Sequence, residues 1–483
     1  MTSPPPQDAA HATSPTRLVV VGGGISGLAA AHAAVEASRG THLEGRLEVL
    51  VLERAARVGG KALTRERDGF RVEGGPTGFL DNEPALDRLV AAAGLEKLPA
   101  DEASARRFLV RGGKLREIRP HPLKFATSGI LSPGGVLRIA REAWVPRRAS
   151  PEDESVWAFA QRRLGRQAAD RLIAPMVLGV FAGDAKALSL RSAFPRMHEL
   201  ERDHGSLLRA MKALRASGRA RGGPAGPGAR LTSFADGLQA LPLSLAERGG
   251  FAVRTDVEVG ALRPDAGRWQ VEVEGDAEPI PADAVALAVE PWRMAELLPE
   301  GLPASRAALA AIPCPAVHVV ALGFPAEALA RTPRGFGALI PRGEGYTILG
   351  VLWDTHLFPG RSPDGTLLVR AMLGGAVTPE VADAAPDELA AIARSDVKRL
   401  LGLREDPVFE EVVRWPRAIP QYTLGHADRV ATIEAELDAW HGSGGPPVAL
   451  AENGLHGVAF GKADARGAQV GDELVAQLCA PGS

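Results

Sequence analysis

The chain has 483 residues, more than one compact core usually serves, so two or three interleaved domains are expected. Its formal net charge of −2 and charged fraction of 24% create no field that would attract a polyanion, which argues against nucleic acid as a partner. The two cysteines, Cys314 and Cys479, are far apart and outside any Cys-x-x-Cys spacing. That leaves neither a disulfide framework nor a cysteine-held metal, and it fits a reducing, cytoplasmic setting.

Residues 1–16 are rich in Pro, Ser, Ala and Thr and lack the basic start and apolar run of a secretory signal; a disordered tail is expected. Residues 17–21 are a short apolar run, 25–37 an alanine-rich helical segment and 47–52 a second apolar run. This strand, helix, strand order implies a parallel sheet with helices on its faces, an α/β fold. From 120 to 216 the pattern becomes helical, and residues 111–150 carry nine Lys/Arg against two Asp/Glu. Such a basic, apolar stretch suits either a solvated face or a peripheral contact with an anionic membrane surface. Residues 217–230 are almost wholly Gly, Pro, Ala and Arg, the composition of a flexible loop. Strand-like patterns follow at 251–259, 269–274, 284–289, 317–324, 346–352 and 367–373, with helices expected at 386–401 and 463–478. No run of eighteen apolar residues occurs, so no transmembrane helix is expected.

The sharpest local pattern is Gly22-x-Gly24-x-x-Gly27, between the first strand and the first helix. Glycines at this spacing allow a tight turn, close backbone approach to a pyrophosphate and close packing of helix on strand, and the helix N-terminus then faces the phosphates. Glu53 ends the second strand, where a carboxylate can accept from a ribose hydroxyl; a solvated helix cap is the plainer alternative. An adenine dinucleotide with an unphosphorylated ribose is the expected ligand.

Arg57-x-Gly59-Gly60-Lys61 and Gly74-Gly75-Pro76-Thr77-Gly78 resemble the second and third motifs of the FAD-dependent amine oxidase and carotenoid desaturase superfamily. The segments Val180-Phe181-Ala182-Gly183-Asp184, Leu188-Ser189-Leu190, Phe194-Pro195-Arg196 and Ile419-Pro420-Gln421-Tyr422 are similar to blocks of the protoporphyrinogen oxidases within it. The resemblance spans about residues 17–478. It implies non-covalent FAD held by Gly22, Gly24, Gly27, Glu53, Arg54, Gly59, Gly60, Lys61, Gly75, Pro76, Thr77 and Gly78. It further implies Val259 against the adenine and Val458, Ala459 and Phe460 beneath the flavin. Arg107 would anchor a substrate propionate, Phe336, Leu339 and Met372 would wall the macrocycle, and Gly179 would offer a backbone contact. From residue type alone, the three apolar side chains would be ordinary core and Arg107 an ordinary surface residue.

The resemblance also implies domains at 17–85 with 231–290 and 415–483 (FAD-binding), 86–119 with 291–414 (substrate-binding) and 120–216 (helical). It implies six-electron oxidation of protoporphyrinogen IX by oxygen, with three hydrogen peroxides formed, no catalytic base assignable and a homodimer possible. Coproporphyrinogen III oxidation, another flavin amine oxidase or desaturase, and a non-catalytic tetrapyrrole carrier are the alternatives. Two departures bear on the flavin. Gly461-Lys462 replaces an Asn-Asp-like pair, and Glu452 stands where glycine is common, where a carboxylate near a pyrophosphate would be unfavourable unless turned away.

Overall fold

A computed structural model describes residues 15–119, 121–148, 150, 152–216 and 229–480. Most of the expected tail (1–16) and flexible loop (217–230) lies outside the described residues.

Five short strands form a parallel sheet in the spatial order Ala252–Arg254, Leu47–Leu52, Thr16–Val21, Ala284–Leu287, Val448–Leu450. Its central strand alternates between two cores. Leu18 and Val20 pack with helices Ile25–Ser38 and Phe460–Cys479, while Val19 and Val21 pack with a three-stranded antiparallel sheet through Trp269 and Val271. Burial on both faces is why these strands read as continuous apolar runs. Gly467 and Gly471 bring the last helix close against Ser26 and Ala30 of the first.

A second, seven-stranded sheet has the order Phe409–Trp415, Val317–Phe324, Leu367–Gly374, Gly350–Trp353, Gly337–Leu339, Arg107–Arg111, Lys114–Glu117. Its pairs are antiparallel apart from Gly337–Leu339 with Arg107–Arg111. Helix Pro386–Leu401 covers one face through Leu389, Ala393 and Val397. Helix Ala174–Phe181 lies on the other, with Gly179 against Leu339.

Between residues 121 and 216 the chain is helical, as its pattern implies. It is tied internally by the fully buried pair Arg163 and Glu142. Glu142 also accepts from Ser206 Oγ (2.5 Å) and from the backbone N–H groups of Leu207 and Leu208 (3.0 and 3.1 Å), satisfying the start of helix Leu207–Ala216.

Three boundaries differ from the sequence pattern. Residues 251–259 divide between Ala252–Arg254 in the parallel sheet and Val259–Asp265 in the three-stranded sheet, with Asp256 turning at φ 56° between them. The strand expected from 346 is confined to Gly350–Trp353, because Tyr346 sits in a turn under the Arg399 guanidinium, 3.9 Å from its ring centre. The last helix starts at Phe460, three residues early.

Candidate functional site

Gly22, Glu290 and Glu452 each lie just beyond the C-terminal end of one of three adjacent parallel strands. This crevice is where open α/β sheets bind ligands. Gly22 adopts φ 109°, and a Cβ there would fall 2.5 Å from Ala288 O. A Cβ on Gly27 would fall 1.9 Å from Gly22 O, so neither position admits a side chain. Gly24, by contrast, opens onto free space at the head of helix Ile25–Ser38. The cradle therefore has tight walls and an open mouth, which fits a pyrophosphate against free backbone N–H groups.

Glu53 is held from both sides. Its Oε2 accepts Gly23 N–H at 2.7 Å and its Oε1 accepts Ala55 N–H at 2.8 Å. Carboxylate oxygens have further lone pairs, so the group can still accept ribose hydroxyls. The residues expected beside the adenine collect here: Val257 N–H donates to Glu53 O, Arg54 lies 3.9 Å from Glu258, and Val259 is buried. Gly59 N–H donates to Gly23 O at 2.8 Å, setting Gly59, Gly60 and Lys61 alongside the first glycine turn.

Lys61 Nζ pairs with Glu290 at 2.8 Å. Burial alone would raise Glu290, but the Lys61 ammonium outweighs it and holds the carboxyl below its ordinary value. Glu452, behind this pair, is pushed by burial up to about 8, with Lys61 opposing and Glu290 adding. It accepts the Gly454 N–H and lies two strands from the glycine turn, roughly 10 Å at sheet spacing. Burial therefore disfavours a negative charge on Glu452, and the group stands to one side of the glycine turn, which eases the unfavourable contact expected with a pyrophosphate. In the Gly461-Lys462 departure, Lys462 is exposed and paired to Glu83 at 2.6 Å, while Gly461 is buried against the Glu83 side chain.

The third glycine motif is clamped from the other sheet. Arg370, 1% exposed, donates to Glu73 O (2.6 Å), Gly75 O (3.4 Å) and Thr77 Oγ1 (2.9 Å), and it pairs with Asp354. Trp415 Nε1 donates to Gly74 O at 2.7 Å. Pro76 and Gly78 complete this turn, and Phe79 beside it stacks on Phe460, ring centres 6.1 Å apart. Val458 packs with Tyr422, Phe181 and Ile419, and Ala459 precedes the last helix. Arg370, Asp354, Glu290 and Trp415 were not recognisable as site residues from sequence. The one signal for Arg370 is a charge inside the apolar run 367–373.

On the second sheet, Arg107, Gly337, Leu352 and Arg370 form one cross-strand row, and Leu109, Leu339, Gly350 and Met372 form a second row two residues further along. The second row lies against helix Ala174–Phe181. Leu178, Gly179, Ala182, Val317, Leu339, Leu349, Met372 and Ile419 enclose a cavity of about 70 Å³. A Cβ on Gly179 would fall 2.8 Å from Leu339 Cδ2. Leu339, Met372 and Gly179 are thus brought together as expected. Phe336 does not line that cavity and packs instead against the cluster of Leu357 and Phe358. Arg107 lies 5.0 Å over the Phe336 ring, is exposed, and forms no ion pair among the described residues.

The family model for flavin containing amine oxidoreductases matches residues 25–461. Protoporphyrinogen oxidase 1 of Arabidopsis thaliana chloroplasts is 32% identical over 93% of this chain and 86% of its own. Coproporphyrinogen III oxidase of Bacillus subtilis is 29% identical over 87% of this chain and 90% of its own. The fold is shared with a crystal structure of a candidate protoporphyrinogen oxidase from Exiguobacterium sp. 255-15 (TM-score 0.81, 24% identity, 96% and 99% coverage). Putrescine oxidase bound to putrescine also shares it (TM-score 0.67, 17% identity, 96% and 99% coverage). The chain belongs to the flavin containing amine oxidoreductases and is an FAD-dependent oxidoreductase.

Proposed function

We propose that this enzyme oxidises a propionate-bearing porphyrinogen, protoporphyrinogen IX or coproporphyrinogen III, to the corresponding porphyrin. The observation that carries the reading is an arginine with no ion pair among the described residues, Arg107, whose strand register puts it on the sheet face that carries a wholly apolar cavity. A porphyrinogen is an apolar ring with carboxylate tails, and such a pocket separates those two needs. Both kinds of porphyrinogen oxidase occur among the relatives that match most of this chain.

Bound FAD would supply the hydride acceptor, with molecular oxygen as terminal oxidant and hydrogen peroxide as by-product. The protein's part is placement. Leu178, Leu339, Met372 and Ile419 exclude water from the ring, Gly179 removes a side chain where the ring must pass, and Arg107 holds a propionate. No lining side chain titrates, so no residue is assigned as base. The cavity is smaller than the few hundred Å³ of typical ligand sites, so admitting the macrocycle requires Leu339 and its neighbours to move back from the helix.

Residues 17–85, 231–290 and 415–483 serve as the FAD-binding domain, 86–119 and 291–414 as the substrate domain and 120–216 as the helical domain. An amine-oxidising role fits less well, because the cavity presents no aromatic wall. Among the described residues no helix is long and apolar enough to cross a membrane; peripheral attachment, a cytoplasmic location and a homodimer are carried as parts of this proposal. Anaerobic mixing with a porphyrinogen tests it. Bleaching of the flavin with appearance of porphyrin fluorescence is expected, and flavin that stays oxidised would identify a carrier instead.

A further inference from the structure

Resting on that reading, we propose that Arg342 is a second carboxylate anchor. The pocket then prefers a porphyrinogen with propionates at both ends, of the coproporphyrinogen III type, over one with propionates along a single edge.

Arg342 lies three residues beyond Leu339, and its Nη1 donates to the carbonyl of Val377. Val377 belongs to the apolar cluster of Leu178, Ala182, Val317, Leu349 and Ala418, with Met372 and Ile419 against it. Six of those residues line the cavity. One edge of the guanidinium is thereby fixed at the cavity rim while the side chain stays exposed. It forms no ion pair among the described residues. The nearest carboxylate in sequence, Glu344, is already taken by Arg111 at 2.9 Å and by the Gly112 N–H at 2.6 Å.

These two arginines, neither with an ion pair among the described residues, stand toward opposite ends of one path. Arg107 stands level with Gly337, the Leu339–Gly350–Met372 row follows, and the chain reaches Arg342 beyond it. Phe336 to Arg342 is six residues, at most about 20 Å when extended. Protoporphyrinogen IX carries its two propionates on neighbouring pyrroles, so both fall at the Arg107 end and Arg342 meets vinyl and methyl groups. Coproporphyrinogen III carries a propionate on every pyrrole, so each end meets a carboxylate. A forked cation earns a charge-assisted pair only in the second case. The hydrogens removed from the ring are the same for both, so the preference lies in binding and leaves the redox step unchanged.

The test measures kcat/KM for both porphyrinogens with wild-type holoenzyme, Arg342→Ala and Arg342→Lys, alongside coproporphyrin III binding followed by fluorescence. In Arg342→Ala the coproporphyrinogen-to-protoporphyrinogen ratio of kcat/KM should fall at least tenfold, and coproporphyrin should bind at least tenfold more weakly. Arg342→Lys should recover part of both, and FAD content should match wild type. A ratio within twofold of wild type, or a wild-type enzyme that favours protoporphyrinogen, overturns the inference. If the wild type oxidises neither compound yet coproporphyrin binding depends on Arg342, the oxidase reading fails and the anchor stands.

Discussion

Arg370 reaches out of the seven-stranded sheet to donate to Thr77 Oγ1 at 2.9 Å, joining that sheet to the third glycine motif alongside Trp415. The same guanidinium neutralises Asp354, itself 3% exposed. Removing one partner of a buried ion pair leaves the other charge stranded, at a cost of about 3–5 kcal/mol. Arg370→Ala should lower stability by that order and loosen FAD together with it. Arg370→Lys should restore much of the charge but not the fork that spans Glu73 O and Thr77. Urea unfolding of holoenzyme and an FAD titration measure the two effects; unchanged FAD affinity in a folded Arg370→Ala protein would show that the clamp does not position the flavin loop.

Glu53 fastens the first glycine turn by accepting the Gly23 N–H. Glu53→Ala should therefore weaken FAD by roughly 1.5–3 kcal/mol, the scale of a hydrogen bond to a charged group. Equilibrium dialysis against FAD gives the loss directly. Glu53→Gln keeps one acceptor oxygen and should fall between wild type and Ala.

Glu452 supplies a pH dependence of definite sign. Its folded value is raised to about 8 from an ordinary 4.5. Between those values the unfolded chain gives up the proton and the folded chain keeps it, so this group lowers stability as pH rises from about 4.5 to about 8. Asp464, with both carboxyl oxygens buried and without hydrogen-bond partners among the described residues, is raised to about 7 and acts in the same direction. Glu452→Gln should flatten the fall in thermal midpoint between pH 5 and 8 and stabilise the protein at pH 8 by up to a few kcal/mol. Parallel pH profiles for wild type and variant would sink this assignment.

The glycine turn, the Glu53 strand and the parallel sheet were legible because each follows from local rules: three glycines at fixed spacing, then apolar runs too short for helices. Arg370 and Glu290 were not, since their roles come from partners about 230 to 300 positions away in sequence, Lys61, Glu73 and Thr77. Phe336, expected as a pocket wall, packs against Leu357 and Phe358 and does not line the cavity of Leu339 and Met372, a placement that no local pattern announces.

The basic segment 111–148 is less free than its composition suggested. Arg111, Arg119 and Arg148 are paired with Glu344, Glu117 and Glu152, and Arg138 donates to the carbonyls of Arg162 and Arg163. Its exposed apolar side chains, Leu123 (74%), Leu137 (53%) and Trp144 (77%), are the stronger reason to expect membrane contact. Trp144→Ala should reduce co-sedimentation with anionic vesicles more than any single charge removal in the segment. Co-sedimentation indifferent to lipid charge, salt and Trp144 would rule out peripheral attachment here.

Arg107 and Leu339 test the pocket itself, because one should act on affinity and the other on space. Arg107 makes no ion pair among the described residues and lies over the Phe336 ring, so Arg107→Ala should leave the fold and the flavin spectrum intact. Losing a partly exposed carboxylate pair should raise the apparent KM for a porphyrinogen by about ten- to a hundredfold, or 1–3 kcal/mol. Leu339 already lies where any side chain on Gly179 would collide with it, so Leu339→Trp has nowhere to expand except across the path of the ring. Overpacking there should cost about 1–3 kcal/mol of stability and depress kcat/KM far more than it depresses FAD content. Oxygen consumption with each variant separates the cases: a KM effect from Arg107→Ala and a block from Leu339→Trp are expected, and unchanged kinetics in both would move the substrate to another site on the same flavoprotein.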